Sequence, residues 1–178
     1  MARGRNIVVS AEPRGRFEEG YITDTSKPGM IMETVPGAAL QNGRRQVRAT
    51  TRTAGAKGPI CVLLADELQG KLGVGAAGTP VVSGGVTVTG PAQGGDAYVA
   101  NTVCFLYWPM AGDELNLLVG DVAGTGDVLA VGDLYGVNNN GKLIKNSSYT
   151  AAPFESQEAT GALTGDGMVW FKFLGDQA

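Results

Sequence analysis

The sequence predicts an all-β protein, a β-barrel or β-tulip-like domain with an extended N-terminal arm, long loops and little helix. Three observations carry that expectation. Glycine supplies 28 of the 178 residues, about twice the ~7% of average usage. Short β-branched and aromatic runs alternate with glycine- and proline-bearing turns along the chain, the pattern of many short strands. Helical patterning is confined to one short candidate, ESQEATGAL at 155–163.

Residues 1–16 hold one apolar run, Ile7-Val8-Val9, among arginines and glycines. They are expected to form a flexible basic arm that orders on a partner, and residues 17–178 a single β-rich domain, a length sufficient for a real core. RFEEGYI and GMIMETV read as short strands separated by a turn-rich stretch. QVRATTRT, inside the polar and basic segment 36–58, reads as an exposed strand or a long loop. PICVLLADEL (59–68) has the length and apolar content of a buried strand. The glycine-rich stretch 72–95 suggests edge strands and loops, and DAYVANTVCFLYWPM (96–110) a central strand.

In LNLLVG, Leu115, Leu117 and Val119 share one face. GDVLAVGDLYGV followed by NNNGKLIK predicts a hairpin, because Asn140-Gly141 suits the positive φ of a tight turn. In the closing GDGMVWFKFLGD, Val169, Phe171 and Phe173 point one way and Trp170 and Lys172 the other. A Gly-Asp pair recurs in GGDAY, AGDEL, VGDVA, TGDVL, VGDLY, TGDGM and LGDQA, the signal of repeated turns. No period of the solenoid or propeller kind is present.

The chain contains no histidine, which excludes Ser-His-Asp and Cys-His catalysis, histidine-ligated metals and a histidine pH switch. Cys61 and Cys104 sit in apolar runs and are expected to be buried thiols behaving as small hydrophobes. Asp113-Glu114, beside Trp108, raises the question of a catalytic pair. Neighbours on a strand point to opposite faces, whereas glycosidase carboxylates come from separate strands ~5–10 Å apart. The two acids therefore read as turn residues that keep a corner wet. GVGAAGTP (73–80) lacks the Gly-Lys-Ser/Thr ending of a phosphate loop, and GDVAGTGD (120–127) lacks the spacing of a calcium loop. Tyr107, Trp108 and Trp170 could form a sugar platform, but strand aromatics of this kind more commonly enter a core. No catalytic residue, cofactor or metal is expected. No run approaches the ~20 apolar residues of a membrane span, and MARGRN is not followed by an apolar signal region; the expectation is a protein made in a cytoplasm with no membrane partner.

The net charge of −3 divides unevenly. Residues 1–58 carry ten Lys/Arg against five acids, and residues 59–178 carry four against twelve. Such asymmetry suits an arm that docks on an acidic surface. Nucleic acid is disfavoured as a direct partner, because the basic part has few aromatics and the body is acidic. Arg3, Arg5, Arg14, Arg16, Arg44 and Arg45 are the candidate contact residues.

The order ICVLLADELQGK, DAYVANTVCFLYWPMAGDELNLLV, GDVLAVGDLYGVNNNGKLIK and ESQEATGALTGDGMVWFKFL resembles the head decoration, or capsid cement, proteins of tailed bacteriophages. The resemblance covers roughly residues 17–176 and rests on strand and turn patterns. It implies a non-enzymatic virion protein that binds the capsid exterior and clamps capsid subunits together. Its partners would be the major capsid protein and other copies of itself, as a homotrimer. The alternatives are another virion β domain (tail, baseplate or head accessory) and a carbohydrate-binding module.

Overall fold

The computed structural model describes residues 7–10, 15–51, 59–64, 81–83, 86–88, 97–98, 100–120, 128–145, 152–160 and 167–175. Among them are thirteen strands and no helix: β1 (Val8–Ser10), β2 (Arg16–Ile22), β3 (Ile31–Thr34), β4 (Arg45–Ala49), β5 (Cys61–Leu63), β6 (Val81–Ser83), β7 (Val86–Val88), β8 (Thr102–Trp108), β9 (Glu114–Val119), β10 (Leu134–Val137), β11 (Leu143–Lys145), β12 (Phe154–Ser156) and β13 (Gly167–Phe173). The fold is all-β and barrel-like, as the glycine punctuation predicts. The helix candidate at 155–163 is corrected in its first part: Glu155 and Ser156 belong to β12, paired to β13, and residues 161–163 lie outside the described set. Sheet pairing overrides the weak helical preference of so short a segment.

The strands form two closed rings. β2-β4-β3-β5-β8 is a closed barrel. β9-β11-β10-β12-β13 is the second, closed by the pairing of β13 back onto β9, with β1 added along the outer edge of β9. The two rings have the same topology, with one parallel pair each, β2 with β4 and β9 with β11, and antiparallel pairs elsewhere. Their registers correspond residue by residue. Met32↔Cys61 matches Tyr135↔Phe154, and Val62↔Tyr107 matches Glu155↔Lys172. Likewise Ile22↔Val47 matches Val119↔Leu143, and Thr34↔Val47 matches Val137↔Leu143. The chain is thus one five-stranded unit used twice in tandem. Between β5 and β8 the first unit carries an insertion that includes the β6–β7 hairpin.

Inward positions keep their character through this correspondence. Ile22, Met32, Val47, Cys61, Cys104 and Leu106 fill the first ring; their equivalents Val119, Tyr135, Leu143, Phe154, Val169 and Phe171 fill the second. Period-two alternation explains the agreement, because matched register sends matched positions to the same side. The outward face differs. Ile31, Val62 and Tyr107 are fully buried in the cluster that contains the second ring's interior and Ile7, whereas their equivalents Leu134, Glu155 and Lys172 face outward or are half-buried. That explains why β5, covered on both sides, reads as a continuous apolar run.

The rings meet through backbone and side chains alike. Leu118 N–H donates to the Gly29 carbonyl (2.9 Å) and Ile31 N–H to the Gly141 carbonyl (2.7 Å). The Leu118 side chain, pointing out of the second ring, is buried in the first ring's cluster. Of the segment read as an arm, β1 pairs with β9 and Ile7 is buried in the core, while residues 1–6 and 11–14 lie outside the described set.

Candidate interaction surface

The candidate arginines Arg3, Arg5 and Arg14 lie outside the described residues. The other three lie along β2 and at the start of β4. β2 and β4 run parallel with Gly20 opposite Arg45, which sets the start of β4 beside the middle of β2. Arg44 donates from Nε (2.8 Å) and Nη2 (2.5 Å) to one oxygen of Glu19. Arg16 and Arg45 share Glu18, Arg16 through a hydrogen bond and Arg45 at 3.5 Å. Because neighbours on a strand point to opposite faces, Arg16, Glu18 and Arg45 meet on the side of β2 that faces the ring interior, and Arg44 and Glu19 on its outer side. Exposed ion pairs of this kind contribute only about 0–1 kcal/mol each to stability. Phe17, on the outer side with Glu19, is 64% exposed, its ring tilted against Tyr107 with centroids 4.8 Å apart.

The Asp113-Glu114 corner is a turn, as its position predicts, but the expectation that both acids keep it wet is corrected for Asp113. Its side chain is 2% exposed. One carboxylate oxygen accepts the Tyr107 hydroxyl (2.7 Å) and the Met110 N–H (2.8 Å). Burial and the neighbouring carboxylate both push the Tyr107 phenol above its ordinary range. Glu114 is half-buried opposite Lys172. The sequence signal for this role was present in the recurring Gly-Asp pair, but tyrosine six residues upstream has no periodic relation to it.

Among the described residues, Glu33 is the other buried acid, at 8% exposure. Burial acts to raise its carboxyl, yet the Thr51 N–H and hydroxyl, the Arg48 guanidinium and the Thr50 hydroxyl together hold it below the ordinary range. Arg48 Nε reaches it at 3.0 Å. Cys61 and Cys104 are free and fully buried in the first ring, as expected for small hydrophobes. Burial pushes the Cys104 thiol up to about 12 and the Cys61 thiol further in the same direction. The indole Nε1 atoms of Trp108 and Trp170 are both enclosed by protein, the environment of core aromatics rather than of a flat exposed platform. Among the described residues, no group of three or more His, Cys, Asp or Glu stands where it could hold a metal ion.

No protein-family model matches the chain, and no curated protein matches it. Among solved structures it is similar to the N base of the head fiber gp8.5 in bacteriophage phi29, at TM-score 0.46 and 7% identity over 92% of this chain and 98% of that one.

Proposed function

We propose that this chain is a non-enzymatic structural protein of a tailed-phage virion that binds the outside of the head and clamps capsid subunits, acting as a homotrimer. The observation that carries this reading is the order of strand and turn motifs over residues 17–176 that resembles head decoration proteins. The physical requirements of such a role are contact area, complementarity and many copies, so that modest interfaces add through multivalency. Exposed Phe17 beside the Arg44–Glu19 pair on the outer side of β2, with Arg16 and Arg45 at Glu18 on the other side, supports a contact along this strand, where an apolar anchor and flanking charges select partner and register.

The test is binding to undecorated heads, counted by imaging. Dozens to hundreds of copies spread over the head are expected. A single ring at one vertex would instead identify a tail or other head-accessory component. The triple variant Arg16→Glu, Arg44→Glu, Arg45→Glu is expected to lower occupancy at least tenfold at physiological salt while keeping its melting temperature. Unchanged occupancy would remove this cluster from the contact. Deleting residues 1–6 tests Arg3 and Arg5 separately without removing the buried Ile7.

A further inference from the structure

In the second ring, the outer edge of β9 that β11 does not reach is covered by β1. That strand runs antiparallel, with Val8 opposite Leu115 and Ser10 opposite Glu114, and the Ile7 carbonyl accepts the Asn116 N–H (2.7 Å). Register equivalence places Glu18 and Phe17 of β2 where Leu115 and Glu114 stand in β9. β4 covers β2 only from Gly20 to Ile22. Among the described residues, no strand pairs along the remaining edge from Arg16 to Glu19. Closing a sheet into a ring removes its edges except where a strand outruns its neighbour, and β2 does so by four residues.

The β6–β7 hairpin shows the complementary deficit. Among the described residues its strands pair only with each other, and an isolated two-stranded hairpin is marginal in water. The stretch 72–95 around it contains no charged residue. β6 reads Val81-Val82-Ser83, the same tripeptide as β1, Val8-Val9-Ser10. The sequence that covers the edge of β9 thus recurs in a strand pair that, among the described residues, belongs to neither ring.

We infer that β6 of one copy adds antiparallel to the open Arg16–Glu19 edge of β2 in a second copy, as β1 does on β9 within the chain. Backbone hydrogen bonds supply the affinity of such strand addition. An uncharged hairpin leaves the Arg16, Arg44 and Arg45 ion pairs intact, and the turn of the chain into β4 ends the slot. The contact is heterologous, so copies related by it close into a ring when the rotation allows. This rests on the self-association in the proposed function and names its interface.

The test uses the full chain in solution. Two single variants, Phe17→Cys and Ser83→Cys, are mixed and oxidised; a disulfide between them joins two chains. The expected result is a covalent dimer from the mixture at several times the yield of either variant alone. In parallel, Val82→Pro is expected to weaken self-association at least tenfold by sedimentation. The Phe17 and Glu19 amides, which point to the open edge, should lose hydrogen-exchange protection in that variant, with the melting of both rings unchanged. Oligomers that persist in Val82→Pro with those amides unprotected throughout would overturn this interface and leave self-association standing. A wild-type chain that stays monomeric at all concentrations would overturn both.

Discussion

Asp113 and Asp133 share one local geometry and differ in burial, which makes them a controlled pair. Each follows a glycine of positive φ, Gly112 at 99° and Gly132 at 87°. Each accepts at its side chain the N–H three residues earlier, Met110 or Ala130, at 2.8 Å. Asp113 is buried and also holds Tyr107, whereas Asp133 is partly exposed and pairs with Lys145 at 2.5 Å. Asp113→Ala strands two donors in the interior and is expected to cost about 2–4 kcal/mol; Asp133→Ala, whose donors meet water, should cost about 1 kcal/mol. Denaturant melts of the two variants check this, and equal costs would contradict the burial argument. The acids also set the pH dependence. Glu33 is held low as described, and Asp133 is held low by the Lys145 and Ala130 hydrogen bonds. A depressed carboxyl contributes stability that is complete above its unfolded value, about 4 for these types, and is lost as pH falls through the folded value. The melting temperature should therefore be flat from neutrality to about pH 5 and fall below it. Glu33→Gln should lower stability by about 1–3 kcal/mol at pH 7 and by less at pH 3.

The Gly-Asp turn is a reusable connector. At 110–113 the Gly112 N–H donates to the Phe173 carbonyl and the Phe173 N–H to the Asp113 carbonyl; at 130–133 Gly132, Ser156 and Asp133 repeat the same exchange. In both places the turn feeds a new strand and locks it to the strand alongside, β9 beside β13 and β10 beside β12. The Asn-Gly turns tell the opposite story. Gly43 and Gly141 both have positive φ, 77° and 74°, but a Cβ on Gly43 would meet open space, while one on Gly141 would press on the Ile31 carbonyl at 2.8 Å. Gly43→Ala should cost about 1–2 kcal/mol from backbone strain alone. Gly141→Ala should cost at least ~1 kcal/mol more, because the first ring must move away. Comparing the two melting temperatures decides it.

The same contacts join the two rings. The first ring's interior is small at Gly20, Cys61 and Cys104 where the second has Leu117, Phe154 and Val169, and Leu118, Met30 and Tyr98 complete its cluster. Trp108 lies in the first ring and Trp170 in the second. Single-tryptophan variants of each should therefore melt at the same temperature by fluorescence. Leu118→Ala should lower stability by about 2–4 kcal/mol; two separated transitions in the wild-type chain would show the rings to be independent.

Strand identity and facing were legible in the order of residues, because alternation is a local property of neighbours: Leu115, Leu117 and Val119, or Val169, Phe171 and Phe173, announce a buried face without reference to anything distant. The Gly-Asp and Asn-Gly turns were legible for the same reason, since backbone sterics act over two or three residues. The duplication was not. At the equivalent strand positions no residue is identical, because a ring interior requires only apolar volume and matched register. The nearest signal is the pair NGRRQV and NNGKLI around the two Asn-Gly turns. Nor could adjacency reveal that Asp113 is buried under Tyr107, that Arg16, Arg44 and Arg45 pair with Glu18 and Glu19, or that no described strand pairs along β2 from Arg16 to Glu19. Those follow from ring closure, which joins residues far apart in the chain and so leaves no local trace.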